Sequence, residues 1–176
     1  MQGKQRPDIE CIRGAVILLI YTYTRRNHAL ITFREINEDN FDAILEMKRP
    51  ENEHFVCSNA KSLAQCWLYR ENGDVFPYAI YADETPVGFL LLEEDMDEEE
   101  LILWRIMFPP EQEGKGYGTA SVRLVIDQAK ASGKYARLTL TCSPDNHIAR
   151  HVYEKVGFLP TGNILHDSVE MYIPLR

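Results

Sequence analysis

Glu113-Gly114-Lys115-Gly116-Tyr117-Gly118 lies between a strand-like run, Leu101 to Phe108, and a stretch from Thr119 to Ser132 in which Val122, Val125, Ile126 and Ala129 recur at helical spacing. Pro109-Pro110 ends the run, because proline has no amide proton for a strand ladder. Gly133 stands where a left-handed residue closes a helix. Three glycines in five positions between a strand and a helix let backbone N–H groups face an anion, and the helix start adds partial positive charge. The stretch is therefore predicted to cradle a phosphate. It is not a Walker loop, since Lys115 is followed by Gly116 and not by Ser or Thr. It is not a dinucleotide fingerprint either. Counted from Gly114 or Gly116, the last glycine of that motif would be Thr119 or Ser121, and the loop comes after four predicted strands.

Upstream, Ile31-Thr32-Phe33-Arg34-Glu35-Ile36 alternates as a half-buried strand does. Phe41, Ile44, Leu45 and Lys48 then follow helical spacing after the cap candidates Asn37 and Asp39, up to Pro50. A second helix is predicted from Ser58 or Asn59, with Leu63, Cys66, Trp67 and Tyr69 on one face, ending before Gly73. Tyr78 to Ala82 and Pro86 to Leu92, separated by Asp83-Glu84-Thr85, read as a β-hairpin, and Leu101 to Phe108 completes an antiparallel meander. Downstream come a strand over Tyr135 to Thr141, a helix over Asn146 to Val156 closed by Gly157, and strand character from Phe158 through Met171 to Ile173.

The 176 residues suit one domain, and 45% apolar with 26% charged residues excludes a disordered or low-complexity chain. With 19 Lys+Arg against 27 Asp+Glu the net charge is −8, which argues against nucleic acid and for cationic partners. Seven of the acids, Glu93, Glu94, Asp95, Asp97, Glu98, Glu99 and Glu100, fall within eight residues; this cluster reads either as a solvated turn or as a surface that attracts a cation. Cys11, Cys57, Cys66 and Cys142 form no Cys-x-x-Cys pair and the five histidines lack metal-ligand spacing, so no metal is expected and a reduced cytoplasm fits. Ala15 to Tyr21 is too short to span a bilayer, which takes about 20 residues, and no membrane association is expected. That run reads as an added strand in an N-terminal extension, residues 1–29, of uncertain role; the domain proper covers residues 30–176.

The glycine loop, read as Gln/Arg-x-x-Gly-x-Gly/Ala, resembles the cofactor loop of the GNAT acetyltransferases, and Asn146-His147-Ile148-Ala149 with Tyr153 and Gly157-Phe158 resembles the family's second cofactor segment. Leu103-Trp104-Arg105-Ile106-Met107 and Ser58 to Gln65 look like the bacterial spermine/spermidine acetyltransferase branch. The resemblance, from about Ile31 to the end, implies an α/β (α+β) fold, a mixed and mostly antiparallel sheet flanked by helices with two central strands splayed. It implies acetyl-CoA as cosubstrate, a small cationic amine as acceptor, and a homodimer by family habit. The pyrophosphate would lie on the backbone of Gly114, Lys115, Gly116, Tyr117 and Gly118, with Thr119 beginning the helix. The pantetheine arm would run past Ile106, Met107 and Phe108, with Asn146 and Ala149 on its other side. Tyr153, by family position, would be the acid that protonates the leaving thiolate, whose thiol pKa is about 8.5 by analogy with cysteine.

Two departures from the family pattern stand out. Glu113 occupies the place of Gln or Arg, and a carboxylate about 6 Å from phosphate costs on the order of 1–3 kcal/mol. Its side chain is expected to turn to solvent with Lys115 offsetting its charge, and Glu113→Gln to tighten acetyl-CoA binding. Trp104 appears where related polyamine enzymes carry a glutamate on the central strand, so no base carries over; Glu53, Glu99 and Glu100 are candidate acceptor-side carboxylates, and the ring of Trp104 is a candidate cation contact. The alternatives are a non-catalytic acyl-CoA-binding module and an acetyltransferase for a protein N-terminus or an antibiotic amine.

Overall fold

A computed structural model describes residues 29–49 and 55–176. Glu53 and the apolar run 15–21 expected as an added strand lie outside the described residues. Within them the chain forms β1 (Ile31–Glu35), α1 (Phe41–Glu46), α2 (Asn59–Tyr69), β2 (Val75–Ala82), β3 (Thr85–Asp95), β4 (Glu100–Met107), α3 (Tyr117–Ser132), β5 (Arg137–Cys142), α4 (His147–Val156), β6 (Leu159–Leu165) and β7 (Ser168–Pro174). The strands make one sheet in the order β1-β2-β3-β4-β5-β7-β6. Every neighbouring pair is antiparallel except β4 and β5, which are parallel. This is the mixed, mostly antiparallel architecture expected from the resemblance.

Strand alternation divides the core in two. Ile80, Leu90, Leu101, Leu103, Leu138, Leu140 and Met171 point to one face and pack against Val122, Val125 and Ile126 of α3 and Tyr153 of α4. Ala79, Tyr81, Phe89 and Leu91 point to the other face, against Ile44 of α1 and Leu63 and Cys66 of α2. The helix caps follow local chemistry. Ser58 accepts from the Lys61 amide, Asn146 accepts from the Ala149 amide, and Gly133 and Gly157 close their helices at φ 65° and 107°.

Three expectations change. Helix α1 starts after Asn40, whose side chain bonds the Asn37 amide and the Glu35 carbonyl instead of capping the helix. On α2 the buried positions are Asn59 and Ser62, while Trp67 is 68% exposed, its ring covered by Arg70 at 3.8 Å. The terminal strand region is a hairpin, β6 and β7, turning at His166-Asp167, both with positive φ.

Candidate functional site

The parallel pair β4–β5 is joined over three residue pairs only: Glu100 with Arg137, Leu101 with Leu138, and Ile102 with Thr139. Beyond them β4 runs on to Met107 and β5 to Cys142 with no pairing between the two, so the sheet opens into a slot. A bulge marks where the slot begins. Leu92 pairs with Leu103 and Leu91 with Arg105, so Trp104 is skipped and both Trp104 and Arg105 follow Leu103 on a strand of altered register. Ile106 and Met107 lie past this bulge, paired with β3 but not with β5, and Phe108 is buried just beyond them.

The glycine loop sits at the mouth of the slot. Gly114 and Gly116 have φ 72° and 82°, and no heavy atom lies within 4 Å of where a side chain would start at either. Gly118 is backed by the Phe108 ring, 3.7 Å from its own would-be Cβ. The first backbone bond of α3 is donated by Ala120 to Gly116, and no side chain caps the helix. The amides of Tyr117, Gly118 and Thr119 therefore have no partner within the helix, and no turn or loop bond among the described residues uses the amides of Gly114, Lys115 or Gly116. Open space and a run of uncommitted N–H donors at a sixteen-residue helix fit an anionic group such as a pyrophosphate.

Glu113 does not behave as expected. Its carboxylate pairs with the Arg49 guanidinium, which reaches across from the segment after α1. Lys115 donates instead to the Gln112 side chain at 2.9 Å. The reason is proximity: Arg49 is largely buried and needs a counter-charge, whereas Lys115 is exposed and finds a neutral acceptor three residues back.

Tyr153 lies on α4, on the α3/α4 face, 6% exposed and with its ring 5.8 Å from that of Phe158. Burial, with a smaller contribution from the neighbouring Cys142, pushes its phenol well above the ordinary tyrosine value. Asn146 and Ala149 open the same helix, half-buried, and the Asn146 side-chain oxygen is committed to the Ala149 amide at 3.2 Å.

The other candidates are dispersed. Glu99 sits in the β3–β4 turn and pairs with Arg176 at 3.1 Å. Glu100 is buried, holding Arg137 at 2.7 Å and the Thr139 hydroxyl. Both carboxylates thus have partners inside the protein, as do Glu94, with Tyr135 and Lys134, and Glu98, with Arg137. The acidic run is thus largely braced from within. Trp104 packs on the α1/α2 face, its ring 6.1 Å from Tyr69, and Arg105 lies 4.6 Å from the same ring, so the chain's own cation covers one ring face.

Two groups escaped the sequence reading. Arg49 gave no signal because its partner is 64 residues away. Glu170 lies in Val169-Glu170-Met171-Tyr172, where an alternation that puts Glu170 and Tyr172 on one face is a local signal; what that face lines depends on β5 and β6 beside it.

Residues 32–158 match the model of the acetyltransferase (GNAT) family. The spermidine N(1)-acetyltransferase of Escherichia coli K12 is 27% identical over 90 residues, 51% of this chain and 48% of the relative, so the chain spans about half the length of that curated relative. The spermine/spermidine N(1)-acetyltransferase of Bacillus subtilis 168 is 24% identical over 144 residues, 76% of this chain and 91% of the relative. Among solved structures, the Vibrio cholerae spermidine N-acetyltransferase in complex with CoA and spermine superposes with a TM-score of 0.69 at 17% identity, covering 82% of this chain and 95% of that one. A slot between parallel strands with a glycine-lined anion cradle at its mouth, and a family match over most of the chain, lead to one conclusion: this chain belongs to the GNAT acetyltransferase family.

Proposed function

We propose that this protein transfers the acetyl group of acetyl-CoA to a primary amine of a small cationic acceptor, a polyamine such as spermidine or spermine. The observation that carries the reading is the three-pair β4–β5 join opening into a slot whose mouth is lined by uncommitted amides. Bound there, acetyl-CoA supplies an activated acyl carbon and a thiolate leaving group. The backbone N–H groups of residues 114–119 would hold its pyrophosphate, and the unpaired edges of Leu103 to Met107 and Leu140 to Cys142 would bond the amide-rich arm as a missing strand would.

A primary amine has a pKa of about 10.4, so on the order of one molecule in a thousand is neutral at pH 7 and able to attack. Donors on the bulged stretch of β4 would stabilise the negative charge that develops on the carbonyl oxygen. Tyr153 would keep its proton through neutral pH and give it to the departing sulfur. The phenolate so formed is costly in a buried site, and the proton released by the newly bonded nitrogen restores it. Polyamine acceptors are supported by the names of the distant relatives and by a net charge of −8.

A second reading, an acceptor with a carboxylate beside its amine such as a peptide terminus, is favoured by Arg105, whose Nη1 is buried without a hydrogen-bond partner. CoA release measured with acetyl-CoA against spermidine, spermine, putrescine, aminoglycosides and peptides tests both. Turnover with polyamines supports the first reading and turnover with peptides alone replaces it by the second. Tight acetyl-CoA binding with no CoA release by any amine would leave a binding module.

A further inference from the structure

On the α1/α2 face, no helix among the described residues packs on β5, β6 or β7 as α1 and α2 pack on β2 and β3, and that half of the sheet holds an open recess of about 350 Å³. Arg137, Thr139, Thr161, Asn163, Glu170 and Tyr172 line it. The placement follows from alternation. Leu138, Leu140, Cys142 and Met171 point into the α3/α4 core, so the residues between them on β5 and β7 point the other way. The volume suits a small-molecule site.

Its charges are ordered. The Glu170 carboxylate accepts from the Thr161 hydroxyl at 2.8 Å and from the Asn163 amide at 2.9 Å, two neutral donors on β6 that fix it without cancelling its charge. Arg137, the cation of the recess, is engaged mainly by Glu100 at 2.7 Å, then by Glu98 at 3.7 Å, and more weakly attracts Glu170. The aromatic ring of Tyr172 completes a wall. A fixed carboxylate beside an aromatic ring is the chemistry that receives an alkylammonium.

The recess is also in the right place. Glu170 pairs in register with Thr141, two residues past the last β5 residue joined to β4, so it stands level with the open slot. Tyr153 reaches the same level from the opposite face, beside Cys142. A carboxylate on one face and a phenol on the other flank the same point on β5.

We infer that this recess is the acceptor site and that Glu170, held by Thr161 and Asn163, binds an ammonium group of the amine substrate. The inference rests on the acetyltransferase reading above and adds the residue that selects a cationic acceptor. Glu170 is the substrate contact; Thr161 and Asn163 are positioning residues.

The test compares wild type, Glu170→Gln and Asn163→Ala in CoA-release kinetics with spermidine, together with calorimetric titration of spermidine into the CoA-loaded protein. Glu170→Gln should raise KM for spermidine about tenfold or more, while the dissociation constant for CoA and the melting temperature stay unchanged. Asn163→Ala should raise KM less and leave kcat alone. An unchanged KM in Glu170→Gln with an active wild type overturns the inference and leaves the acetyltransferase reading intact. Should the wild type release no CoA with any amine, that reading fails, and the titration decides the site: spermidine binding lost in Glu170→Gln upholds it, and absent or equal binding overturns it.

Discussion

Arg49 and Glu113 close an ion pair between the segment after α1 and the start of the glycine loop. The carboxylate that should repel a pyrophosphate is thereby neutralised from the segment after α1. Arg49→Ala leaves Glu113 bare beside the cradle and should weaken CoA binding by about 1–2 kcal/mol, roughly 5- to 30-fold. Glu113→Gln removes the negative charge beside the cradle and should tighten it, and the double variant should return near wild type. Calorimetry at two salt concentrations checks the cycle, because both single effects should shrink at high salt. Unchanged CoA affinity in both single variants would mean that the pair does not govern the cradle.

Replacing Tyr153 by Phe should lower kcat by about 10²- to 10⁴-fold with CoA affinity unchanged, measured by CoA release and calorimetry. The raised phenol keeps its proton across the neutral range and beyond the ordinary tyrosine value. It should therefore add no falling limb to the pH profile below about pH 10. kcat/KM should climb with pH as the acceptor loses its proton. A fall between pH 7 and 9 would assign the proton donor elsewhere.

Burial, with Asp74 and Asp95 nearby, pushes the Glu93 carboxyl up from its ordinary value of 4.5. Between that value and the raised one the folded chain holds a proton that the unfolded chain has released. Stability therefore falls as pH rises through this window and stays lower above it. Glu93→Gln should stabilise the fold at pH 7, by less than about 1 kcal/mol since the site is partly solvated, and have no such effect at pH 4. Denaturant melts at the two pH values decide; an equal effect at both would exclude the carboxyl as the cause.

Gly88 on β3 has no room for a side chain: a Cβ there would meet the Met107 carbonyl oxygen at 2.7 Å and the Phe108 ring at 2.8 Å. Gly88→Ala should destabilise by about 1–3 kcal/mol. Because Phe108 also backs Gly118, it should weaken CoA binding as well, which thermal melts with and without CoA would reveal. A loss of stability with CoA affinity intact would show that Phe108 does not transmit the strain.

The parts of this protein that sequence made legible are those whose cause is local. Gly114, Gly116, Gly133 and Gly157 mark left-handed positions that other residues rarely adopt, and Asn146 and Ser58 announce helix starts through their own side chains. The β6–β7 hairpin was hidden because its turn, His166-Asp167, takes positive φ without a glycine. Trp67 was misplaced because α2 buries Asn59 and Ser62 beside Leu63 and Cys66, which turns Trp67 outward although it is apolar. Asn59 is inside because its amide caps the Ile44 carbonyl at the end of α1, a contact between helices. The pairs made between distant segments were the least legible. Arg49, Glu100 and Glu170 owe their contacts to partners 64, 37 to 39, and 7 to 9 residues away; strand register brings the last two sets together, and the packing of the segment after α1 against the glycine loop brings the first.

Glu100 is the rivet at the apex of a V. With one carboxylate it grips both Arg137 and Thr139 across the only stretch where β4 and β5 touch, and from that point the two arms diverge. An angle fixed at its vertex is magnified with distance, so a shift of a fraction of an ångström at this carboxylate is felt several times over where the glycines wait. The gauge of the opening is thus set by a residue that need never meet what passes through it.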